Sequence, residues 1–289
     1  MRVMGSVSLL AVAVLLGACA TAPRPVVSPS AATEAVPAHD NLNATVWMQS
    51  SAEYEASIRG IYAAAERSLD AALADSSWSA LPQGESQAGF ESKPPAIIVD
   101  ADETMIDNSA YQARSIRENR GYTAESWQAW VNARAARAMP GAVDFANYAK
   151  ARDVTIFFIT NRDAPAEYAA TVANLRALGF PIADDASNVV LRGDARAPDR
   201  EKGDRRRWVG RNYRVVLMLG DNLADFLDGT SADVATRQTL MAPYREWWGQ
   251  RWFMLPNPTY GSWENAVLRS CERDTSPRAC LRASLRDEY

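Results

Sequence analysis

Four short apolar runs punctuate the middle of the chain, and each stops abruptly at polar chemistry. Ala96-Ile97-Ile98-Val99 stops at Asp100, Val154 to Ile159 at Thr160, Asn188 to Leu191 at Arg192, and Val215 to Leu219 at Gly220-Asp221. Runs this short, without polar alternation, predict strands buried on both faces. Between the second and third, apolar residues at helical spacing (Val172, Leu175, Leu178) predict a helix from about Asp163 to Pro165 that ends at Gly179, before Pro181. The alternation is that of a parallel α/β sheet, a Rossmann-like core. Upstream, Tyr54, Ile58, Ile61, Tyr62, Ala65 and Leu69 predict an N-terminal helix over Trp47 to Leu73. Met105 to Ala149 reads as a mainly helical insertion between strands, with Trp127 and Trp130 suited to lining or capping a site. No internal repeat is present.

The N-terminus carries an address. Arg2 precedes an apolar run, Val7 to Leu16, too short to span a bilayer comfortably, which reads as an export signal over residues 1–18. Leu16-Gly17-Ala18-Cys19 resembles the bacterial lipobox, so Cys19 is expected to be lipidated and to become the first mature residue. From there to about Asp40 the chain is Ala, Pro, Ser, Val and Thr without periodicity, a tether over 19–40 ahead of a folded domain over 41–289. The expected location is the outer membrane, with the lipid bilayer as the partner of the anchor. Cys271 and Cys280 close a short loop in a compartment that permits disulfides; a bridge there would add roughly 2–3 kcal/mol, and two free thiols are the alternative.

Composition narrows the chemistry. Lys plus Arg number 31 against 35 Asp plus Glu, a formal charge of −4 that argues against a nucleic-acid backbone as partner. The single histidine, His39, falls in the expected tether, which removes mechanisms that need imidazole. Cysteine nucleophiles fare no better, with Cys19 used by the anchor and the other two close together near the C-terminus. Carboxylates are left to do the work.

They occur directly after the first strand, in Asp100-Ala101-Asp102-Glu103-Thr104. Side chains two apart in an extended segment point the same way, so Asp100 and Asp102 can converge on one reacting group. Asp100 can attack phosphorus, while Asp102 protonates the leaving oxygen and later deprotonates water. Clustered carboxylates repel a phosphate dianion, so a hard cation is required; Asp221 and Asp225 add oxygen ligands, and magnesium suits the set. Thr160, the Asn161 and Arg162 amides, and Lys202 offer donors to the phosphoryl group. Read singly, a strand-terminal Thr is a helix cap and a Lys in a charged run is surface.

The arrangement resembles the class C bacterial acid phosphatases of the haloacid dehalogenase superfamily, outer-membrane lipoproteins that act as 5′-nucleotidases. The resemblance rests on Ile98 to Tyr111 and Val216 to Phe226, with weaker similarity at Trp47 to Tyr54, Pro140 to Val143, Thr160-Asn161-Arg162 and Pro256 to Glu264. It implies Asp100 as nucleophile and metal ligand, Asp102 as acid-base with its backbone carbonyl on the metal, Asp221 as ligand, Asp225 in support of the metal site, and Thr160 and Lys202 on the phosphate. Two positions depart from the family: Ala101 replaces a larger aliphatic residue, and Gly203 follows Lys202 in place of Ser. The expected substrates are small phosphomonoesters, nucleoside 5′-monophosphates first, with Tyr260 and Tyr111 as stacking candidates ahead of Trp127, Trp130 and Trp263. A broad-specificity phosphatase or phosphotransferase and a non-catalytic ligand-binding lipoprotein are the competing readings.

Overall fold

The computed structural model describes residues 39–199, 201–272 and 274–287. The expected signal, the Cys19 lipidation site and nearly all of the tether lie outside these residues. Two helices open the folded unit, α1 (Leu42–Ser50) and α2 (Ala52–Ala74), where the periodicity predicts one. The break is local: Ser51 adopts an extended backbone and its hydroxyl accepts the Tyr54 N–H at 3.1 Å, an N-cap that restarts the helix.

Then come β1 (Pro95–Val99), β2 (Ile106–Asp107), α3 (Ser109–Arg117), α4 (Ala124–Ala133), β3 (Arg137–Ala138) and α5 (Ala142–Lys150). The insertion is helical as expected, but β2 and β3 pair antiparallel and close it. Next follow β4 (Thr155–Asp163), α6 (Tyr168–Ala177), β5 (Val189–Arg192), α7 (Lys202–Gly210), β6 (Arg214–Gly220) and α8 (Leu223–Phe226). Helix α6 begins later than its sequence signals suggest because β4 continues to Asp163, whose N–H is held by the Glu167 carboxylate at 2.8 Å. The chain ends with α9 (Val234–Met241), β7 (Trp252–Met254), α10 (Ser262–Leu268) and α11 (Pro277–Ala283).

The sheet is parallel throughout, in the order β5-β4-β1-β6-β7. Strand β7 has no counterpart in the sequence reading, since three residues among tryptophans carry no period. Successive strand residues serve opposite layers. Ile97, Val99, Ile156 and Phe158 pack toward Ile58, Tyr62 and Leu69 of α2 and Phe145 of α5, whereas Ala96, Ile98, Phe157 and Ile159 pack toward Val209, Leu223, Phe226 and Trp252. Burial on both faces explains why these strands read as unbroken apolar runs. It also leaves only the strand ends for polar chemistry. The chain passes from β1 to β4 and β5 on one side and then crosses back from β5 through α7 to β6 on the other side of β1, so the carboxyl ends of β1 and β6 flank a switch point, where parallel sheets open a crevice.

Candidate active site

Asp100 follows β1 directly, and its N–H still reaches the Leu219 carbonyl of β6 at 3.0 Å, so the ladder fixes its backbone. The next turn winds around one acceptor, the Ala101 carbonyl, which receives the N–H groups of Met105 (2.8 Å) and Ile106 (2.9 Å). Ala101 itself is fully buried in the core. Glu103 takes a left-handed backbone, φ 53°, uncommon for a residue with a side chain. It is held there by Asn108, whose N–H and Nδ2 donate to its carboxylate at 2.9 and 3.2 Å. Asn108 Nδ2 also donates to Asp102 Oδ1 at 2.8 Å, and Trp130 Nε1 fixes the amide by donating to Asn108 Oδ1 at 2.8 Å. Trp130 therefore stands behind the site, buried, and does not line it as its sequence position suggested.

Thr160, near the end of β4, is fully buried at the site; its Oγ1 accepts the Arg162 N–H at 3.2 Å and lies 3.5 Å from Asp102 Oδ2. Asn161 lines the same cleft, and its Oδ1 accepts from Arg205 Nη2 at 2.7 Å. Arg205 also donates to the Thr160 carbonyl at 2.7 Å, and burial drops its pKa to about 10 despite the opposing pull of Asp100 and Asp225. The sequence reading used only the amide of Arg162. In the structure its guanidinium is buried and faces Asp102, with Nη2–Oδ1 at 2.7 Å. The signal was available: alternate residues of a strand share a face, so Thr160 and Arg162 point together.

Lys202, the first residue of α7, is only 4% exposed, which overturns the surface reading of its charged run. Its Nζ meets Asp100 Oδ1 at 2.5 Å and Asp225 Oδ1 at 2.6 Å. The unusual Gly203 has a steric reason, because a Cβ there would lie 1.8 Å from Asp228 Oδ2. Asp225 caps the turn after β6 by accepting the Asn222 N–H at 2.9 Å, and Asn257 Nδ2 holds Asp221 Oδ2 at 2.8 Å. Asn257 escaped the sequence reading as a functional residue; it lies in an irregular stretch after β7 that has no period to orient it.

One carboxylate oxygen from each of Asp100, Asp221 and Asp225 lies within 4.8 Å of the others; the carboxylate of Asp102 stands apart, on Arg162 and Asn108. Burial raises the Asp100 pKa to about 7; Lys202 opposes the rise, and Asp225 and Asp102 add to it. Burial also lifts Asp221 well above the carboxylate range, with Asp225 and Asp100 adding to the effect. Lys202 is pulled down by burial, but Asp100 and Asp225 outweigh this and hold it above the ordinary lysine value. Three carboxylates against the Lys202 ammonium and the more distant Arg205 guanidinium still leave a negative surplus, and an all-oxygen donor set of this kind fits a hard divalent cation.

These groups open into a cleft of about 890 Å³. Tyr111, Tyr122 and Trp127 line one part of it, and Tyr260 and Ser262 another. Tyr111 is nearly buried, edge-on to Trp127 with ring centroids 5.3 Å apart and its hydroxyl 2.9 Å from Ser126 Oγ, so it backs the wall while Trp127 and Tyr122 sit nearer the opening. Trp263 lies outside the lining. His39, assigned to the tether on sequence, belongs to the folded unit and lines the cleft, its Nδ1 accepting the Asn41 N–H at 3.3 Å. Farther off, Cys271 and Cys280 are joined by a disulfide.

Residues 15–263 match the family described as HAD superfamily, subfamily IIIB (acid phosphatase). Two solved structures of the class C acid phosphatase from Bacillus anthracis, one with tungstate bound, are 31% identical to this chain. Each covers 86% of this chain and 98% of its own length, with a TM-score of 0.72. A family match over most of the length, joined to structural similarity at that identity, places the chain among the acid phosphatases of HAD subfamily IIIB, enzymes that hydrolyse phosphomonoesters.

Proposed function

We propose that this phosphatase hydrolyses nucleoside 5′-monophosphates by way of an aspartyl phosphate on Asp100, as a lipoprotein anchored through Cys19 on the outer membrane and facing the periplasm. The observation that carries the substrate reading is the cleft: its volume exceeds what a phosphate needs, and aromatic rings line it beyond the carboxylates. Stacking on such rings contributes about 1–3 kcal/mol per base without selecting one base.

Phosphatases of this superfamily use a divalent metal, and here Asp100, Asp221 and Asp225 would hold it, with the Asp102 carbonyl as the resemblance implies; we take it to be Mg²⁺. When bound, it neutralises phosphate charge and polarises the phosphoryl oxygens. The protein's own groups do the rest. Thr160, the backbone amides of Asn161 and Arg162, and Lys202 hold the phosphate against Asp100. An Asp100 carboxylate oxygen forms a bond to phosphorus as the bond to the ester oxygen breaks, and Asp102 delivers its proton to that departing oxygen. Water then attacks phosphorus, its proton returning to Asp102, and phosphate leaves Asp100 free.

The test is phosphate release from 5′-AMP and from p-nitrophenyl phosphate by the full chain in detergent, with and without Mg²⁺. Magnesium-dependent turnover of both, with a higher kcat/KM for AMP, is expected. Turnover of the aryl ester alone would replace the nucleotidase reading with a general monoesterase, and activity indifferent to Mg²⁺ and to chelator would remove the assignment of the metal.

A further inference from the structure

Asp102 is held more tightly than a proton carrier needs to be, and unevenly. Its Oδ1 receives Arg162 Nη2 at 2.7 Å, Arg162 Nε at 3.1 Å and Asn108 Nδ2 at 2.8 Å. Its Oδ2 has only Arg162 Nε at 3.1 Å and Thr160 Oγ1 at 3.5 Å. Arg162 is itself immobilised: Nη1 donates to Thr171 Oγ1 of α6 at 3.1 Å, its N–H is on Thr160 Oγ1, and the Trp127 ring centroid lies 5.5 Å from its Cζ. A planar fork fixed on one side of a carboxylate sets the direction of the other side.

We infer that Arg162 is a positioning residue for the acid-base step, with Asn108 as a second donor to the same oxygen: together they saturate Oδ1 and leave Oδ2 as the oxygen that carries the proton. The inference rests on the reading of Asp102 as acid-base. Oδ2 is the oxygen on the Thr160 side, where that reading puts the phosphate. In the first step the proton passes from Oδ2 to the ester oxygen as the P–O bond breaks; in the second, Oδ2 takes a proton from the attacking water as the Asp100–phosphorus bond breaks. Arg162 supplies no proton in either step.

Proton donation matters most when the leaving group is a poor one. An alkoxide such as the 5′-oxygen of a nucleoside needs the proton, whereas p-nitrophenolate departs without it. The experiment is kcat/KM for full-length protein, Arg162→Ala, Arg162→Lys and Asp102→Asn, over aryl and alkyl phosphates of graded leaving-group basicity, because kcat/KM reports phosphoryl transfer to Asp100. Arg162→Ala is expected to lose about 100-fold on alkyl esters and less than about 10-fold on p-nitrophenyl phosphate, within the span ascribed to general acid catalysis. Added guanidinium is expected to restore part of the alkyl-ester rate.

Arg162→Lys, which keeps the charge but not the fork, is expected to fall between the two, and it carries the test should the alanine variant not fold. A loss equal across the whole series, or no loss, would overturn the inference, since a merely structural arginine weakens all substrates alike. The Asp102→Asn arm separates the two failures. If that variant shows no leaving-group dependence, the acid-base reading of Asp102 falls; if it does and the Arg162 variants do not, only the positioning role falls.

Discussion

Of the three cations that helix α7 buries, Lys202 and Arg206 lie one turn apart and live under different rules. Arg206 is fully buried against Glu85 at 2.7 Å and Asp228 at 3.0 Å, and Arg207 lies 3.6 and 3.3 Å from the same two carboxylates. Two guanidinium groups against two carboxylates make a balanced cluster, with Asp204 on Arg207 at its outer edge. Lys202 is in direct contact with Asp100 and Asp225, Arg205 acts on the same two from farther off, and Asp221 crowds the same site. A buried charge left uncompensated costs several kcal/mol, so the balanced cluster avoids a penalty that the unbalanced one carries. The unbalanced one forfeits stability for a site that attracts a cation and an anionic ester together.

The largest effect that sharpens this contrast is Asp100→Asn. Its kcat is expected to fall roughly 10⁴-fold or more, the scale of nucleophile removal. Its melting temperature without added metal is expected to rise, because one surplus charge is gone. Calorimetry of the two proteins in chelator measures the rise, and a lower melting temperature would break the comparison. Next comes Arg206→Ala, which leaves Glu85 and Asp228 with only the longer contacts to Arg207 and removes the contact from Nη1 to the Asp225 carbonyl at 3.2 Å. It is expected to lose about 3–5 kcal/mol in urea unfolding. Most of its kcat/KM should survive in the folded fraction. The smallest is Gly203→Ser, where the added Cβ must push Asp228 off Arg206. About 1–3 kcal/mol of stability should be lost, the usual range for overpacking, with KM for phosphate esters little changed. A KM that rises with stability intact would mean instead that Gly203 belongs to the phosphate site.

The same helix shows why legibility was uneven. The sheet could be read because double burial erases alternation and leaves strands as apolar runs, and Asp100, Thr160 and Asp221 were legible as the polar residues that end them. In α7 the buried positions are Lys202, Gly203, Arg205, Arg206, Val209 and Gly210, the spacing of an inward helical face. Because three of the six are cations and two are glycines, hydropathy marks that face as solvated. Its partners, Glu85, Asp100, Asp225 of α8 and Asp228, come from distant segments that no local pattern connects. Asn108 was legible only as part of a motif; that one amide ties Asp102, Glu103 and Trp130 together is a property of the folded turn. Ser51 divides the first helix through one hydroxyl, an effect smaller than the apolar period on either side of it.

His39 lies at the lip of the cleft, and Asn41 beside it is fastened to the Thr259 carbonyl at 2.8 Å. Whatever is joined directly to His39 is therefore attached to a residue of the cleft wall. An affinity tag or fusion partner placed there becomes part of the threshold, and kinetic constants measured on such a protein describe the doorway together with the chemistry behind it.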